Sequence, residues 1–296
     1  MTEKVSPVWL DGLRLSVGTL TALPVTPPSR VDRPRAAVAM SVAPLAALPL
    51  GVLAAAVTWA GTWLSLPRAV VGLLVVAVLA VANRGMHLDG LADSADGLAA
   101  PKDADGRLAI MRTGDVGPVG AAALVLVLGL QVAAIAELAT GPRGWLVVGV
   151  AVCLSRAALA LVCVRGVPAA RGSGLGAAVA GTVPRLVAAA IWALVAAALA
   201  GVLALAPSSA EGVLSYGGSY EPMTASREAY SSSLTMTFDR FELVAWASGV
   251  LATLVALAVV ALLVRRAVRA VGGVTGDVCG AAVELCLAAL LVALLV

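Results

Sequence analysis

The chain has 296 residues, of which 61% are hydrophobic and only 12% are charged, and its mean hydropathy is +1.01. A soluble domain is about 45–50% apolar and about 25% charged, so the composition excludes an ordinary water-soluble protein. The net charge of +3 is small and the basic residues are scattered, which argues against a nucleic-acid partner. The long apolar runs lack the strict alternation of barrel strands, so we predict an all-α, polytopic helical bundle in a lipid bilayer.

The N-terminal segment carries charges and prolines up to Arg35 and has no continuous apolar core, so we expect no cleavable signal. Within it, Val8 to Leu23 is short and mildly amphipathic, which favours a helix lying in the membrane interface. Beyond it, apolar runs near the ~20 residues that one crossing helix needs predict about seven transmembrane helices, with six or eight possible. These runs lie near residues 36–60, 67–83, 119–139, 144–164, 186–206, 243–264 and 278–296. Pro44 and Pro49 predict a kink in the first run.

The basic residues predict the orientation of the chain. If the N-terminus is cytoplasmic, 16 of the 20 Lys and Arg residues lie inside, which is the bias that the positive-inside rule requires. We therefore expect residues 1–296 to form a single multi-pass domain in the cell membrane. Residues 207–242 are rich in Ser, Tyr, Gly and Thr and are expected to form a polar external loop.

Acidic residues are concentrated in the connection between the second and third apolar runs. This connection holds six of the 17 Asp and Glu residues in the chain. If this stretch is helical, Asp89, Asp93 and Asp96 lie at i, i+4 and i+7, so their carboxylates share one face. Such like charges repel, and Mg²⁺ suits them because it takes carboxylate and water oxygens and is often shared with substrate phosphates. We expect Asp89 and Asp93 to be metal ligands and Asp96 to be a third ligand or a catalytic neighbour. A solvated acidic helix face is the alternative.

Three arginines on the same predicted side, Arg84, Arg112 and Arg171, are candidates for binding substrate phosphates. Any one of them is also explained as an arginine that extends to the membrane surface. His87, the only histidine, is a candidate general base because imidazole titrates near neutrality, and a hydrogen-bonded histidine at the interface is the alternative. The glycine-rich residues 171–176 allow backbone amides to approach a phosphate, but they lack the Lys and spacing of a P-loop.

A second group of polar residues opens the last apolar run, where Gly272 to Asp277 is followed by Glu284. Asp277 is a candidate for the substrate-phosphate site, and an N-cap at the start of the helix is the alternative. Glu284 lies two turns further along, on the same face as Asp277. Since an ionisable group at that depth is by default functional or paired, we expect Glu284 to face the protein interior as a catalytic residue.

Three segments of the chain resemble the cobalamin synthase family, whose members are adenosylcobinamide-GDP ribazoletransferases. They are H-L-D-G-L-A-D-S-A-D-G-L from His87 to Leu98, I-M-R-x-x-x-x-G-x-x-G from Ile110 to Gly120, and G-G-x-T-G-D-x-x-G-A-x-x-E-L from Gly272 to Leu285. The chain departs from the family pattern after Arg112, where an acid, Asp115, stands in place of a basic residue.

The resemblance implies that the chain joins adenosylcobinamide-GDP to α-ribazole, or to its 5′-phosphate, and releases GMP in a magnesium-dependent reaction on the cytoplasmic side. It also assigns particular residues to the family's two motifs. Asp89, Asp93 and Asp96 fall on the acidic motif, and Asp277 and Glu284 fall on the C-terminal one.

Two other functions are compatible with an acidic cluster in a membrane protein. A CDP-alcohol phosphotransferase also uses an aspartate-rich helix, but Asp89 to Asp93 departs from its D-G-x-x-A-R pattern. An ion-coupled secondary transporter would use Glu284, the kinked first run and the acidic cluster to line an ion path. Against a transporter, the acids concentrate in one connection near the membrane surface.

Overall fold

The computed structural model describes residues 6–141, 143–205 and 227–296, and for residues 227–243 it describes the backbone alone. In these ranges the chain forms helices and two isolated β-bridges, which confirms the all-α class. The helices are α1 (Val8–Leu20), α2 (Arg33–Ser41), α3 (Ala43–Ala46), α4 (Leu48–Trp63), α5 (Arg68–Ala82), α6 (Met86–Ala99), α7 (Ala104–Ile110), α8 (Pro118–Leu138), α9 (Gly144–Leu154), α10 (Ala158–Val162), α11 (Leu175–Val179), α12 (Arg185–Leu205), α13 (Arg227–Val271) and α14 (Gly276–Ala293).

Apolar helices long enough to cross a bilayer confirm a polytopic membrane protein. Five segments qualify by length and composition: Pro118–Leu138, Gly144–Val162, Arg185–Leu205, Val244–Val271 and Gly276–Ala293. Helices α5 and α6 together make a sixth only if a 94° bend between them is accepted within one span. The described residues thus hold five or six candidate spans, at or just below the lower end of the expected range of six to eight.

The first predicted span accounts for part of this difference. Pro44 and Pro49 do more than kink it, because each lies in the first turn of a new helix, α3 or α4. A proline lacks the N–H that would continue the preceding helix, so the run is divided into α2, α3 and α4. The longest piece, α4, has 16 residues and falls short of a full span.

The predicted external loop at 207–242 is described only in part. Residues 206–226 lie outside the described residues. From Arg227 onward the backbone is helical and forms the first part of α13, where a loop was expected. The sequence between 227 and 248 contains neither Gly nor Pro, so no residue there interrupts a helix.

The last helix, α14, lies at the centre of the bundle. Of the 18 residues of α14, 72% are buried, whereas only 28% are buried in the most apolar 18-residue stretches of α8 and α12. It packs against α6, α8, α9, α10 and α13. The side chains of Leu287, Leu290 and Leu291 are each at most 1% exposed and join the apolar core around it. Polar residues on the helices that surround α14 are therefore brought close to it and to one another.

Helix α6 crosses α14 at very short range because glycines form the contact. A Cβ atom built on Gly90 would lie 2.7 Å from the backbone oxygen of Asp277, and one built on Gly280 would lie 3.2 Å from the Cα atom of His87. Only residues without a side chain permit this approach, which is a common device between membrane helices. The crossing brings the acidic helix α6 against the first turns of α14.

Helix α1 forms close to the predicted place and is attached to α2 by a buried ion pair that the sequence analysis did not predict. The Nε atom of Arg35 donates to Asp11 Oδ2 at 2.8 Å, and both side chains are almost fully buried. The hydroxyl of Ser29, and next Arg35, lower the pKa of Asp11 to about 2, so this carboxylate stays charged near neutrality. The pair holds α1 over the end of the bundle where α6 lies.

The α6–α14 crossing predicts unequal effects of two Gly→Ala substitutions. Gly90→Ala should lower the melting temperature of the detergent-purified protein, because the added methyl forces the two backbones apart and overpacking costs about 1–3 kcal/mol. Gly129→Ala in α8 is the matched control, since a Cβ there meets no atom within 4 Å. Alanine favours a helix over glycine by about 1 kcal/mol, so the control should keep or raise the melting temperature. Equal melting temperatures for the two variants would contradict the close crossing.

Candidate active site

The candidate active site lies at the end of the bundle where α5 ends, α6 crosses, and α8 and α14 begin. A sharp corner after α5 turns the chain through 94°. It is built by Arg84 and Gly85, with φ angles of 59° and 68°, and by the buried side chain of Asn83, which accepts a 3.0 Å hydrogen bond from the Gly85 N–H. A left-handed conformation strains a residue other than glycine, so Arg84 occupies this position at an energetic cost. The corner turns α6 so that it crosses the first turns of α14.

The predicted acidic face is present on α6, but its three acids have different surroundings. Asp89 is exposed, Asp96 is half-buried, and Asp93 is only 6% exposed. Helix α6 by itself is too short and too polar to be a span. Burial, and then the charges of Asp89 and Asp277, raise the pKa of Asp93 to about 6. These carboxylates repel one another in the folded protein, and a bound cation would relieve that repulsion.

Asp96 is engaged by backbone donors. Its Oδ2 accepts a 2.7 Å hydrogen bond from the Gly117 N–H and its Oδ1 accepts a 2.8 Å bond from the Gly120 N–H. Gly117 immediately precedes α8, so the carboxylate satisfies N–H groups that have no partner within that helix and also complements its dipole. These contacts favour a positioning role for Asp96, and its expected roles as a third metal ligand or a catalytic residue remain predictions.

Residues from two of the three family-like segments, the first and the last, face a cavity of about 250 Å³ between α6, residues 171–176 and the start of α14. Asp89, Arg171, Thr275 and Asp277 are among the residues that line it. Thr275 caps α14 by accepting from the Val278 N–H, and its hydroxyl lies 3.1 Å from Asp277 Oδ2. Because Thr275 is the N-cap, the alternative role of Asp277 as N-cap is excluded, and its carboxylate faces the cavity.

Arg171 is the basic residue of this cavity. Its Nη2 donates to the backbone oxygen of Leu108 at 2.8 Å, and its Nη1 lies 4.0 Å from Asp277 Oδ2. Its Nε group is buried and, among the described residues, finds no acceptor. A guanidinium held in this way, with donors to spare, is suited to binding phosphate oxygens.

The other two arginines lie outside this cavity. Arg84 lines a neighbouring cavity of about 700 Å³, and its Nη2 donates to the backbone oxygens of Gly18 and Thr21 at the end of α1. Arg112 follows α7, is exposed, and lines neither cavity. The structure thus separates three residues that the sequence placed together as phosphate ligands.

The donor set fits Mg²⁺ that is shared with a substrate. Within the described part of the chain, no three Asp, Glu, His or Cys side chains form a ready-made metal cage. Mg²⁺ does not require one, since it commonly binds through one or two carboxylates, waters and substrate phosphates. Asp89 and Asp277 face the same cavity, and the charge of each acts on the nearby Asp93. Asp89 and Asp277 are the acidic oxygen donors that line this cavity, and Asp93 lies near both but does not line it.

His87 and Glu284 form a buried polar layer behind the acidic face. Glu284 is 4% exposed, and its Oε2 accepts a 2.9 Å hydrogen bond from Gln131 Nε2. Its Oε1 lies 3.7 Å from His87 Nδ1, which is itself 3.4 Å from Asn83 Nδ2. The prediction that Glu284 faces the protein interior is confirmed. Neither residue lines the cavity that holds Asp89, so their catalytic roles stay predictions.

Three buried polar residues near the site, Asn83, Gln131 and Arg156, were not predicted from the sequence to be site residues. Arg156 is 1% exposed and donates to the backbone oxygen of Val152 and to Ser155 Oγ at a 3₁₀ turn that interrupts α9 and α10. The available signal was a strongly polar residue inside an apolar run, which in a membrane segment marks a paired or functional group. The signal identifies Gln131 and Arg156 but does not show that Gln131 binds Glu284.

The contacts of Asp96 predict a thermal phenotype. Asp96→Asn should lower the melting temperature by an amount equivalent to about 1–2 kcal/mol. Asparagine has one uncharged acceptor oxygen, whereas each of the two charged oxygens of Asp96 accepts an N–H bond. The magnesium concentration that gives half-maximal activity should remain that of the wild type. A variant with wild-type stability that needs much more magnesium would instead identify Asp96 as a metal ligand.

Comparison with known proteins points to one family. The sequence model described as "Cobalamin-5-phosphate synthase" matches residues 12–295. A protein named adenosylcobinamide-GDP ribazoletransferase from Nocardioides sp. is 47% identical over 96% of this chain and 97% of its own length. Proteins of the same name from Frankia casuarinae and a Sinorhizobium species are 37% and 32% identical, over 94% and 93% of this chain and 92% of each relative. No solved structure matches the chain significantly.

Proposed function

The chain belongs to the cobalamin-5-phosphate synthase family, and we propose that it is an adenosylcobinamide-GDP ribazoletransferase that works in the cavity between α6, residues 171–176 and α14. It is then an enzyme of the last steps of cobalamin synthesis. One observation carries the placement of the site: Asp89, Arg171 and Asp277, which are far apart in sequence, line this same cavity.

The reaction breaks a phosphoanhydride bond and forms a phosphodiester. A ribose hydroxyl of α-ribazole, or of its 5′-phosphate, attacks the phosphorus bonded to cobinamide, and the bond from that phosphorus to the oxygen of GMP breaks. The hydroxyl loses its proton to a base, and the products are GMP and adenosylcobalamin or its 5′-phosphate. In such transfers the protein contributes mainly positioning and stabilisation of charge.

Asp89, Asp93 and Asp277 are the residues that would hold Mg²⁺, whose positive charge would stabilise the transferring phosphate. Arg171 lines the cavity with its guanidinium fixed by the bond to Leu108, so it is placed to bind phosphate oxygens there. Residues 173–176 line the same cavity wall, and their backbone amides would add neutral donors to it. Opposite charges thus face each other across the cavity, as binding a diphosphate and a cation together requires.

His87 and Glu284 support the site from behind. Glu284 on α14 bonds to Gln131 on α8 and approaches His87 on α6, so the buried layer connects the three helices that carry or position the acids. We assign this layer to holding α6 in register with α14. His87 remains the candidate general base if the site opens when the substrate binds, since apo geometry alone does not exclude a base.

In the topology predicted from the sequence, the site lies on the same side as 16 of the 20 Lys and Arg residues, which supports a cytoplasmic location. We expect a cysteine placed at position 103, in a cysteine-free background, to be protected from an impermeant thiol reagent in intact cells. A cysteine at position 220 should be labelled. Labelling of position 103 with protection of position 220 would invert the orientation.

The metal assignment predicts that Asp89→Asn and Asp93→Asn each reduce transfer at least ~10²–10³-fold, the usual cost of losing one group that stabilises the transition state. Asparagine keeps the shape of the side chain but removes the charge that a hard cation prefers. The measurement is GMP release by the purified protein at saturating magnesium, with expression and insertion checked in parallel.

Asp105→Asn is the control for both variants, because Asp105 is exposed on α7 and lies on neither cavity. It should retain most of the activity. The metal assignment fails if all three variants lose activity equally, or if Asp89→Asn retains more than about a tenth of the wild-type rate.

A further inference from the structure

Two cavities meet at Asp89. One is the 250 Å³ cavity with Arg171, and the other is the 700 Å³ cavity with Arg84. Met86 and Asp89, one turn apart on α6, line both. Among the described residues, each cavity is therefore lined by one arginine, and the two share an acid that we place at the reacting phosphate.

From this arrangement we infer that the Arg84 cavity is the binding site of the acceptor and that Arg84 binds the 5′-phosphate of a phosphorylated α-ribazole. The inference rests on the proposed function and adds to it a division of the two substrates between the cavities. The Arg171 cavity takes the guanylate half of adenosylcobinamide-GDP, which leaves as GMP.

The geometry of phosphoryl transfer supports this division. The attacking and leaving oxygens lie on opposite sides of the phosphorus, roughly in line with it. With the phosphorus beside Asp89, the leaving nucleotide and the attacking nucleoside must extend in opposite directions. The two cavities share Met86 and Asp89 but otherwise have different walls, the glycine-rich segment and the start of α14 in one and the end of α1 with Arg84 in the other, so each gives one substrate its own place beside Asp89.

The hydrogen-bond donors of the two cavities indicate which substrate each cavity binds. Negative charge develops on the GMP phosphate as its bond breaks, so the leaving group needs the side that is richer in donors. The Arg171 cavity is also lined by Ser173 and the glycine-rich segment that follows it, whereas Arg84 is the only basic residue among the described residues that line the other cavity. One arginine suits a single terminal phosphate on the acceptor.

The arginine at the corner is itself informative. A turn with φ of 59° is most easily made by Gly or Asn, yet the chain places an arginine there and holds it in a strained conformation. Two hydrogen bonds from Nη2 to the carbonyls of Gly18 and Thr21, of 2.8 and 3.0 Å, fix the guanidinium. Among the described residues, no acceptor lies within hydrogen-bonding distance of its Nε and Nη1 groups, which leaves three N–H donors for a ligand.

The test compares two acceptors in one enzyme. We expect the ratio of kcat/KM for α-ribazole 5′-phosphate to kcat/KM for α-ribazole to fall about tenfold or more in Arg84→Gln, since a hydrogen bond to a charged group contributes about 1.5–3 kcal/mol. Arg84→Lys keeps the charge and should retain a larger part of the ratio. Loss of the α1 contacts lowers both rates together, so the ratio isolates binding of the phosphate.

Arg171→Gln is the matched comparison in the 250 Å³ cavity. It should raise the KM for adenosylcobinamide-GDP and lower both acceptor reactions by the same factor. If Arg84→Gln lowers both reactions equally, Arg84 only attaches α1 and the inference is overturned. If Arg171→Gln changes the acceptor ratio instead, the assignment of the two cavities is reversed and the inference is again overturned. A wild-type protein that transfers to neither acceptor would refute the proposed function itself.

Discussion

The close approach of α6 to α14 is the contact on which the site depends. Glycines at 90 and 280 let the two backbones meet, and this brings Asp277 of α14 beside Asp89 and Asp93 of α6. Repulsion among these carboxylates opposes the approach, and the apolar packing of α14 at the centre of the bundle favours it. The fold thus holds negative charges in a place where a cation and a phosphorylated substrate would lower the energy.

Three further contacts keep this crossing in register. Asp96 attaches α6 to the first turn of α8, and Glu284 attaches α14 to α8 through Gln131. The strained corner at Arg84 sets the direction in which α6 leaves α5 and, through α1, closes one side of the site. The acids, the arginines and the buried polar layer are therefore parts of one assembly, and a change in any helix contact should reach the cavity.

The sequence predicted the helices and the acidic face because these are encoded locally. Apolar run length gives a membrane helix, and the spacing of Asp89, Asp93 and Asp96 gives their common face. The central estimate of seven full spans was too high because Pro44 and Pro49 start new helices and because α5, with 15 residues, is too short to be a full span without α6. The capping role of Asp96, the bond between Gln131 and Glu284, and the separation of Arg84 from Arg171 depend on contacts between distant segments, which no spacing in the chain reveals.

The most direct test of the transferase assignment is release of GMP by the purified protein given adenosylcobinamide-GDP and α-ribazole or its 5′-phosphate, with and without magnesium. We expect GMP and a corrinoid product in equal amounts, formed only when the acceptor is present, and loss of both when magnesium is removed by a chelator. Equal transfer in the chelator would contradict the role given to the carboxylates around Asp89. No transfer with either acceptor, at any magnesium concentration, would contradict the proposed reaction.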